Sequence, residues 1–367
     1  MKTSIILFFI LTAVGFAKES SFSQSNNHKV YFEKNFNREV TTLLSNSIEY
    51  KQYMYAVGTK AIGRYSNYDT DKPFIIKFNQ KGNIVWSKTL NNHFGTFKSI
   101  VIDENSNIYA VGSDYSPTMV GFTNDIKKAL IVKFNDNGEI LWKKTIGTTN
   151  YDSFSDIKII DNNLYIIGLT LSNRRKTQSK LVKMNLNGKI LKNKILYDEH
   201  NIFFEQYIAV GKDNNIYISN NIKSKKPSIA KYDTNFKEIF TKKINTFGLL
   251  QIAIDNHNNL YTVSIDKKPI LANNIIKLDS DGNTLWEKNI PIKKRNIPIK
   301  ITINKGTIYI LGKYITIYNT DGLFKSEIKI KQANIRNIMP TKDKALLIVG
   351  GKGNISVSNS GYFAKIK

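Results

Sequence analysis

Residues 133–147 read KFNDNGEILWKKTIG, and near copies stand at 77–90 (KFNQKGNIVWSKTL) and 277–290 (KLDSDGNTLWEKNI). The three tryptophans of the chain, Trp86, Trp142 and Trp286, occupy one position of this phrase. A phrase repeated at such intervals restricts the chain to architectures whose units stack on their own copies. Upstream of it runs a second recurring element: NIYAVG (107–112), NLYIIG (163–168), NIYIS (215–219), NLYTVS (259–264) and TIYILG (307–312), with MYAVG (54–58) and LLIVG (346–350) as outer members. A shorter apolar segment precedes each, as in SIVID (99–103) and QIAID (251–255).

Each unit therefore holds four short strands. The connections between the third and fourth, NDNG (135–138), NLNG (185–188), DSDG (279–282) and NTDG (319–322), combine an Asn or Asp that folds onto its own backbone with a Gly for positive φ. Four-stranded units of this length indicate an all-β, seven-bladed β-propeller of antiparallel blades. The seventh unit has only three strands at the C-terminal end. VYFEKNF (30–36) carries the same aromatic-x-Lys as Trp86-x-Lys88, so the N-terminal strand around Phe32 is expected to complete the last blade and remove an open edge.

The domain is expected over 30–367, after a short segment at 18–29. Residues 1–17 (MKTSIILFFILTAVGFA) have the layout of a cleavable secretory signal: one lysine, a short apolar run, and Gly15-Phe16-Ala17. The mature chain is expected to be secreted or periplasmic, monomeric and without an integral membrane segment. There is no cysteine, which excludes disulfides, thiolate metal sites and a lipoprotein anchor.

The net charge is +25. Such a surplus favours anionic partners, although an AT-rich coding sequence yields Lys, Asn and Ile together without selection for binding. The cations gather in loops assigned to the top face: Lys127, Lys128, Arg174, Arg175, Lys176, Lys223, Lys225, Lys226, Lys267, Lys268, Lys293, Lys294 and Arg295. Tyr65, Tyr115 and Tyr151 lie among or beside them. Cations mixed with aromatic rings suit an anionic polymer such as an acidic glycan or nucleic acid, or an envelope surface, and a protein partner is the other expectation.

The third-strand lysines, Lys133 among them, recur with an acid before the second strand: Glu49 with Lys77, Asp103 with Lys133, Asp161 with Lys183, Asp213 with Lys231, Asp255 with Lys277 and Asp343 with Lys365. The sixth unit lacks both, with Ile317 in the lysine slot. An ion pair inside each blade is the expectation. The tryptophans are expected to fill the gaps between blades. DSDG lacks the later ligands of a calcium loop, no histidine pair has ligand spacing, and no hydrolase triad is visible. No cofactor or metal is expected. The alternative is an enzyme at the top channel mouth, assembled from Asp152, Asp198, Glu199, His200 and Glu205.

The alternation of GTFKSIVIDENSNIYAVGSDYS (95–116) with KFNDNGEILWKKTIGTTNYDS (133–153) resembles the bacterial seven-bladed β-propeller repeat family. It is similar, more distantly, to pyrroloquinoline-quinone-type repeats, whose units end in Gly-x-x-x-Trp, as Gly82, Gly138 and Gly282 do with Trp86, Trp142 and Trp286. Lys192, Phe240 and Ser326 depart from that pattern. Related outer-membrane assembly propellers are lipoproteins, which this chain cannot be. The resemblance implies a non-catalytic binding or scaffold propeller, with a quinone-dependent or glycan-active enzyme as the alternative.

Overall fold

A computed structural model of the chain describes residues 29–36, 42–61, 71–116, 126–147, 151–171, 177–198, 206–220, 226–249, 251–265, 273–290, 298–330, 333–352 and 360–367. The signal segment and the cations at 174–176, 223, 225, 267–268 and 293–295, with Tyr65, lie outside them. So do His200, Glu199 and Glu205.

The described strands form seven antiparallel sheets, one per blade. Blade one runs Thr42–Tyr50, Tyr53–Ala61, Asp71–Asn79 and Ile84–Thr89, from the inner strand outwards. The inner strands of blades two to four are Phe94–Ile102, Ser153–Ile160 and Ile208–Val210. In blade five two short pieces, Gly248–Leu249 and Ala253–Ile254, both pair with Leu260–Ile265. Blades six and seven begin with Lys300–Asn304 and Ala333–Pro340. In blade seven the third strand, Ser360–Ile366, pairs antiparallel with Val30–Phe36, from Val30↔Ile366 to Phe36↔Gly361, with a register shift between Val30 and Phe32.

The second and third strands are buried on both faces, so the core is divided into layers between neighbouring blades. One layer joins Tyr55, Val57 and Ile75 of blade one to Phe97, Ile108 and Ala110 of blade two. Another joins Phe32, Leu347 and Phe363 of blade seven to Met54, Ile76 and Phe78 of blade one. The turns form as the sequence predicts. In the blade-two turn Asn135 Oδ1 accepts from the N–H groups of Asn137 and Glu139, at 3.0 and 2.9 Å, and Gly138 takes φ +79°.

Blades one to four and blade seven each grip the outer turn of the next. Lys77 Nζ reaches Asp136 of blade two, bonding its carbonyl at 3.2 Å and its carboxylate at 2.7 Å. Lys133 Nζ donates to the Leu186 carbonyl at 3.3 Å, Lys183 to Thr234 at 3.3 Å and Lys231 to Ser280 at 3.1 Å. Lys365 closes the circle on Gln80 Oε1 at 3.0 Å. The acceptors are the second residues of successive turns. Most of these ammoniums also stand over the second-strand tyrosine of their own blade, at 5.2–5.4 Å from its ring centre, a contact worth about 0.5–2 kcal/mol.

The outer-strand rings use the same turns. A Cβ added to Gly138 would meet the Trp86 ring at 3.0 Å, one on Gly322 would meet Trp286 at 2.9 Å, and one on Gly82 would meet Phe32 at 2.6 Å. Glycine is required there twice over, for its positive φ and for the ring pressed against it. Trp86 Nε1 also donates to the Asp136 carbonyl at 2.9 Å.

These contacts correct the expected pairing within blades. Lys133 bonds blade three, while Asp103 accepts from Asn107 N–H at 2.8 Å and from the Tyr109 hydroxyl at 3.0 Å. Asp255 does the same with Asn259 and Tyr261. Of the expected pairs, Asp213–Lys231 and Asp343–Lys365 stand as ion pairs, at 3.3 and 3.2 Å. The acids chiefly cap their own turns because a carboxylate oxygen two to four residues from free N–H groups satisfies them with little chain ordering.

Candidate functional site

The inner strands enclose a central channel with a cavity of about 440 Å³. Its wall mixes polar side chains with half-buried apolar ones, among them Ile48, Val101, Ile303 and Met339. Its polar side chains include a belt at one level of the channel. The register shifts by one residue just before Asn46, Ser99, Asp156 and Asn337, in blades one, two, three and seven. Such bulges re-aim the following side chain. All four residues join the belt.

The belt is a directed chain of hydrogen bonds running from blade to blade. Lys300 Nζ donates to Asn337 Oδ1. Asn337 Nδ2 donates to Asn46 Oδ1 at 2.7 Å, and Asn46 Nδ2 to Ser99 Oγ at 3.1 Å. Ser99 Oγ donates to Asp156 Oδ1 at 2.6 Å. The other Asp156 oxygen accepts from Ile208 N–H of blade four at 3.1 Å and from Lys158 Nζ at 2.8 Å. Gln251 Nε2 of blade five reaches the Ile301 carbonyl of blade six at 3.0 Å. The chain thus begins on an ammonium and ends on a carboxylate. Burial in the channel pushes Lys300 down to about 7; Asp156 acts against that drop and Lys158 adds to it.

The expected top-face residues divide. Lys127 is buried, its ammonium 5.2 Å from the Tyr115 ring centre and 4.5 Å from that of Tyr151. Burial lowers its pKa, but the two phenols outweigh that and the net shift is upward. Lys127 therefore serves to hold Tyr151 onto blade two rather than standing as an open surface cation. Lys128 bonds the Gly147 carbonyl at 3.1 Å. Lys226 is exposed. Asp152 is buried, with its N–H donating to the Lys127 carbonyl at 2.7 Å. His93 is held between Asp114 Oδ2, 2.7 Å from Nδ1, and Lys143 Nζ, 2.9 Å from Nε2. Among the described residues no three of His, Cys, Asp and Glu gather closely enough to hold a metal ion, and no helix is long and apolar enough to cross a membrane.

Sequence reasoning missed the belt. Its signal was present: a polar side chain stands four residues before the first turn in SIVID's unit (Ser99), in QIAID's (Gln251) and in blades six and seven (Lys300, Asn337).

This geometry defines a seven-bladed β-propeller. No protein-family model matches the sequence, and no curated protein matches it. The likeness to quinone-type repeats thus has no support from sequence families. Among solved structures, the chain is similar to the WD40 β-propeller domain of Doa1, with TM-score 0.56 and 12% identity over 92% of this chain and 97% of that one. It is also similar to the Dos1 propeller, with TM-score 0.57 and 10% identity over 88% of this chain and 78% of that one. At such identity the likeness is one of fold.

Proposed function

We propose that this chain is a secreted or periplasmic, non-catalytic binding module whose basic top face meets an anionic polymer. The observation that carries the reading is where the carboxylates go. Asp103, Asp213 and Asp255 cap turns and accept from tyrosines, Asp136 and Asp343 hold lysines of the blade contacts, and Asp156 ends the channel belt. Acids engaged inside the fold leave the surplus of 54 basic over 29 acidic residues uncompensated. A field of one sign draws polyanions, and such binding weakens steeply with salt.

The test is retention of the full chain on an immobilised anionic polysaccharide, eluted with a salt gradient. The Arg174→Glu, Arg175→Glu, Lys176→Glu variant is expected to elute at clearly lower salt. Unchanged elution of that variant would remove the top face from the reading.

A further inference from the structure

We propose that the central channel is a binding site for a small organic anion, one carboxylate on a short apolar body, with Lys300 as the group that takes the carboxylate. This site is separate from the top face, and its test is independent of that reading.

The argument is one of charge and shape. Two ammoniums, Lys300 and Lys158, line the channel with one carboxylate, Asp156. Asp156 is already fully engaged: it accepts from Ser99, Lys158 and the N–H groups of Ile157 and Ile208. Lys158 answers its charge directly at 2.8 Å. Lys300 donates to the neutral amide oxygen of Asn337 and, among the described residues, has no carboxylate within ion-pair distance. An ammonium has three donors, so Lys300 keeps donors and a charge that no carboxylate in contact balances. A partly desolvated cation of this kind is stabilised strongly by an incoming anion, because the low-dielectric wall screens it little.

The rest of the cavity selects the body of the ligand. Two residues further along the inner strands the wall carries half-buried apolar side chains, Ile48, Val101, Val210, Ile254, Ile303 and Met339, which offer apolar burial worth about 0.8 kcal/mol per methylene. A cavity of about 440 Å³ falls within the usual range for small-molecule sites. A belt that holds the free ammonium, beside half-buried apolar side chains, matches an amphipathic molecule with a single charged head.

Binding must also carry a proton. Free Lys300 titrates near 7 with Asp156 and Lys158 as the charged groups facing it. An anion alongside favours the ammonium and raises that value. The folded, ligand-free protein therefore takes up protons on binding above neutrality, and affinity falls about fivefold between pH 7 and pH 8.

The experiment is titration calorimetry of the full chain with hexanoate, acetate and inorganic phosphate, in buffers of different ionisation enthalpy. Hexanoate is expected to saturate one site, at least tenfold more tightly than acetate, with proton uptake at pH 7.5. Phosphate binding tighter than hexanoate, or no saturable binding by hexanoate, would overturn the proposal. Lys300→Met is expected to weaken hexanoate at least tenfold, and Lys300→Arg to stay within a few fold of the parent. Equal affinity in Lys300→Met would also overturn it. If Lys300→Met fails to fold, the chain-length preference and proton uptake of the parent chain decide the matter, since a purely structural lysine produces neither.

Discussion

The contact between blades one and two and that between blades six and seven are built from the same repeat, yet only the first has the lysine and the ring. Blade one sends Lys77 and Trp86 onto the turn Asn79's counterpart forms at Asn135–Gly138. Blade six has Ile317 and Ser326 in those slots, paired across its own strands as Lys77 is with Trp86. The difference lies in the receiver. In blade seven the third and outer strands come from opposite ends of the chain, so no turn of this kind joins them. A lysine there would be buried with no carbonyl to meet. Ile317 instead packs in one cluster with Ile366, Ile328 and Ile330, against which Val30 also rests. The residues of one blade are thus explained by the turn of the next.

The contact between blades three and four sharpens the point. Lys192 stands where blade two has Trp142. The turn opposite has Phe236, at φ +62°, where the others have glycine. Its ring meets Tyr165 at 6.0 Å, as Trp142 meets Tyr109 at 6.1 Å and Trp286 meets Tyr261 at 6.2 Å. The aromatic ring is present, but supplied from the other side.

The largest expected effect is at the seam. Phe32 is buried, 5.3 Å from Phe363 between ring centres. Phe32→Ala is expected to cost about 3–5 kcal/mol in denaturant unfolding, whereas Ser326→Ala in blade six should stay within about 0.5 kcal/mol. Equal costs would show that the two contacts do not differ as described.

A double-mutant cycle tests the exchanged ring. Phe236→Gly should cost about 2–4 kcal/mol, the lost ring being offset in part by relief of positive φ. Lys192→Trp alone should cost about 1–3 kcal/mol by overpacking against Phe236. Together they should return to within about 1 kcal/mol of the parent. Simple additivity of the two losses would refute the exchange.

The smallest effect is in acid. Burial would raise the Asp136 carboxyl, but hydrogen bonds from Lys77 and Tyr55 hold it below its ordinary 3.8. A depressed carboxylate adds stability above that value and loses it as the pH falls below about 4. Asp136→Asn should therefore be less stable than the parent at pH 7, by less than about 1 kcal/mol because the group is half exposed. The deficit should shrink as the pH falls below about 4 and be lost only below the carboxyl's lowered native pKa. The contact between blades two and three, with Leu186 in that position, should show no such acid limb when Lys133 is replaced by Met.

The blades were legible in the sequence because their signals are local. An Asn or Asp, a Gly and a fixed number of residues make a turn regardless of what lies beyond it. The recurrence of Lys133 and its equivalents was equally visible. Where those lysines point was not: register inside a blade suggested Asp103, while the true acceptor, Leu186 O, is set by how one blade leans on another. The channel belt was hidden for a related reason. Asn46, Ser99, Asp156 and Asn337 sit after bulges, and a one-residue shift changes which face a side chain serves. For the top face, the charge pattern was readable, but Lys127 shows that a cation in a basic cluster can be enclosed by its own tyrosines.

The pairing of Val30–Phe36 with Ser360–Ile366 also has a mechanical side. Val30 and Ile366 are partners, and Lys29 and Lys367 exchange hydrogen bonds just beyond them, at 2.8 and 2.9 Å. The two ends of the ring therefore emerge side by side from the same end of one antiparallel pair. Tension applied through them would open that pair like a zipper, one rung at a time, instead of loading every rung at once. The buried rings of Phe32 and Phe363 hold the seam together, while the ends are placed so that a pull would load its hydrogen bonds one after another.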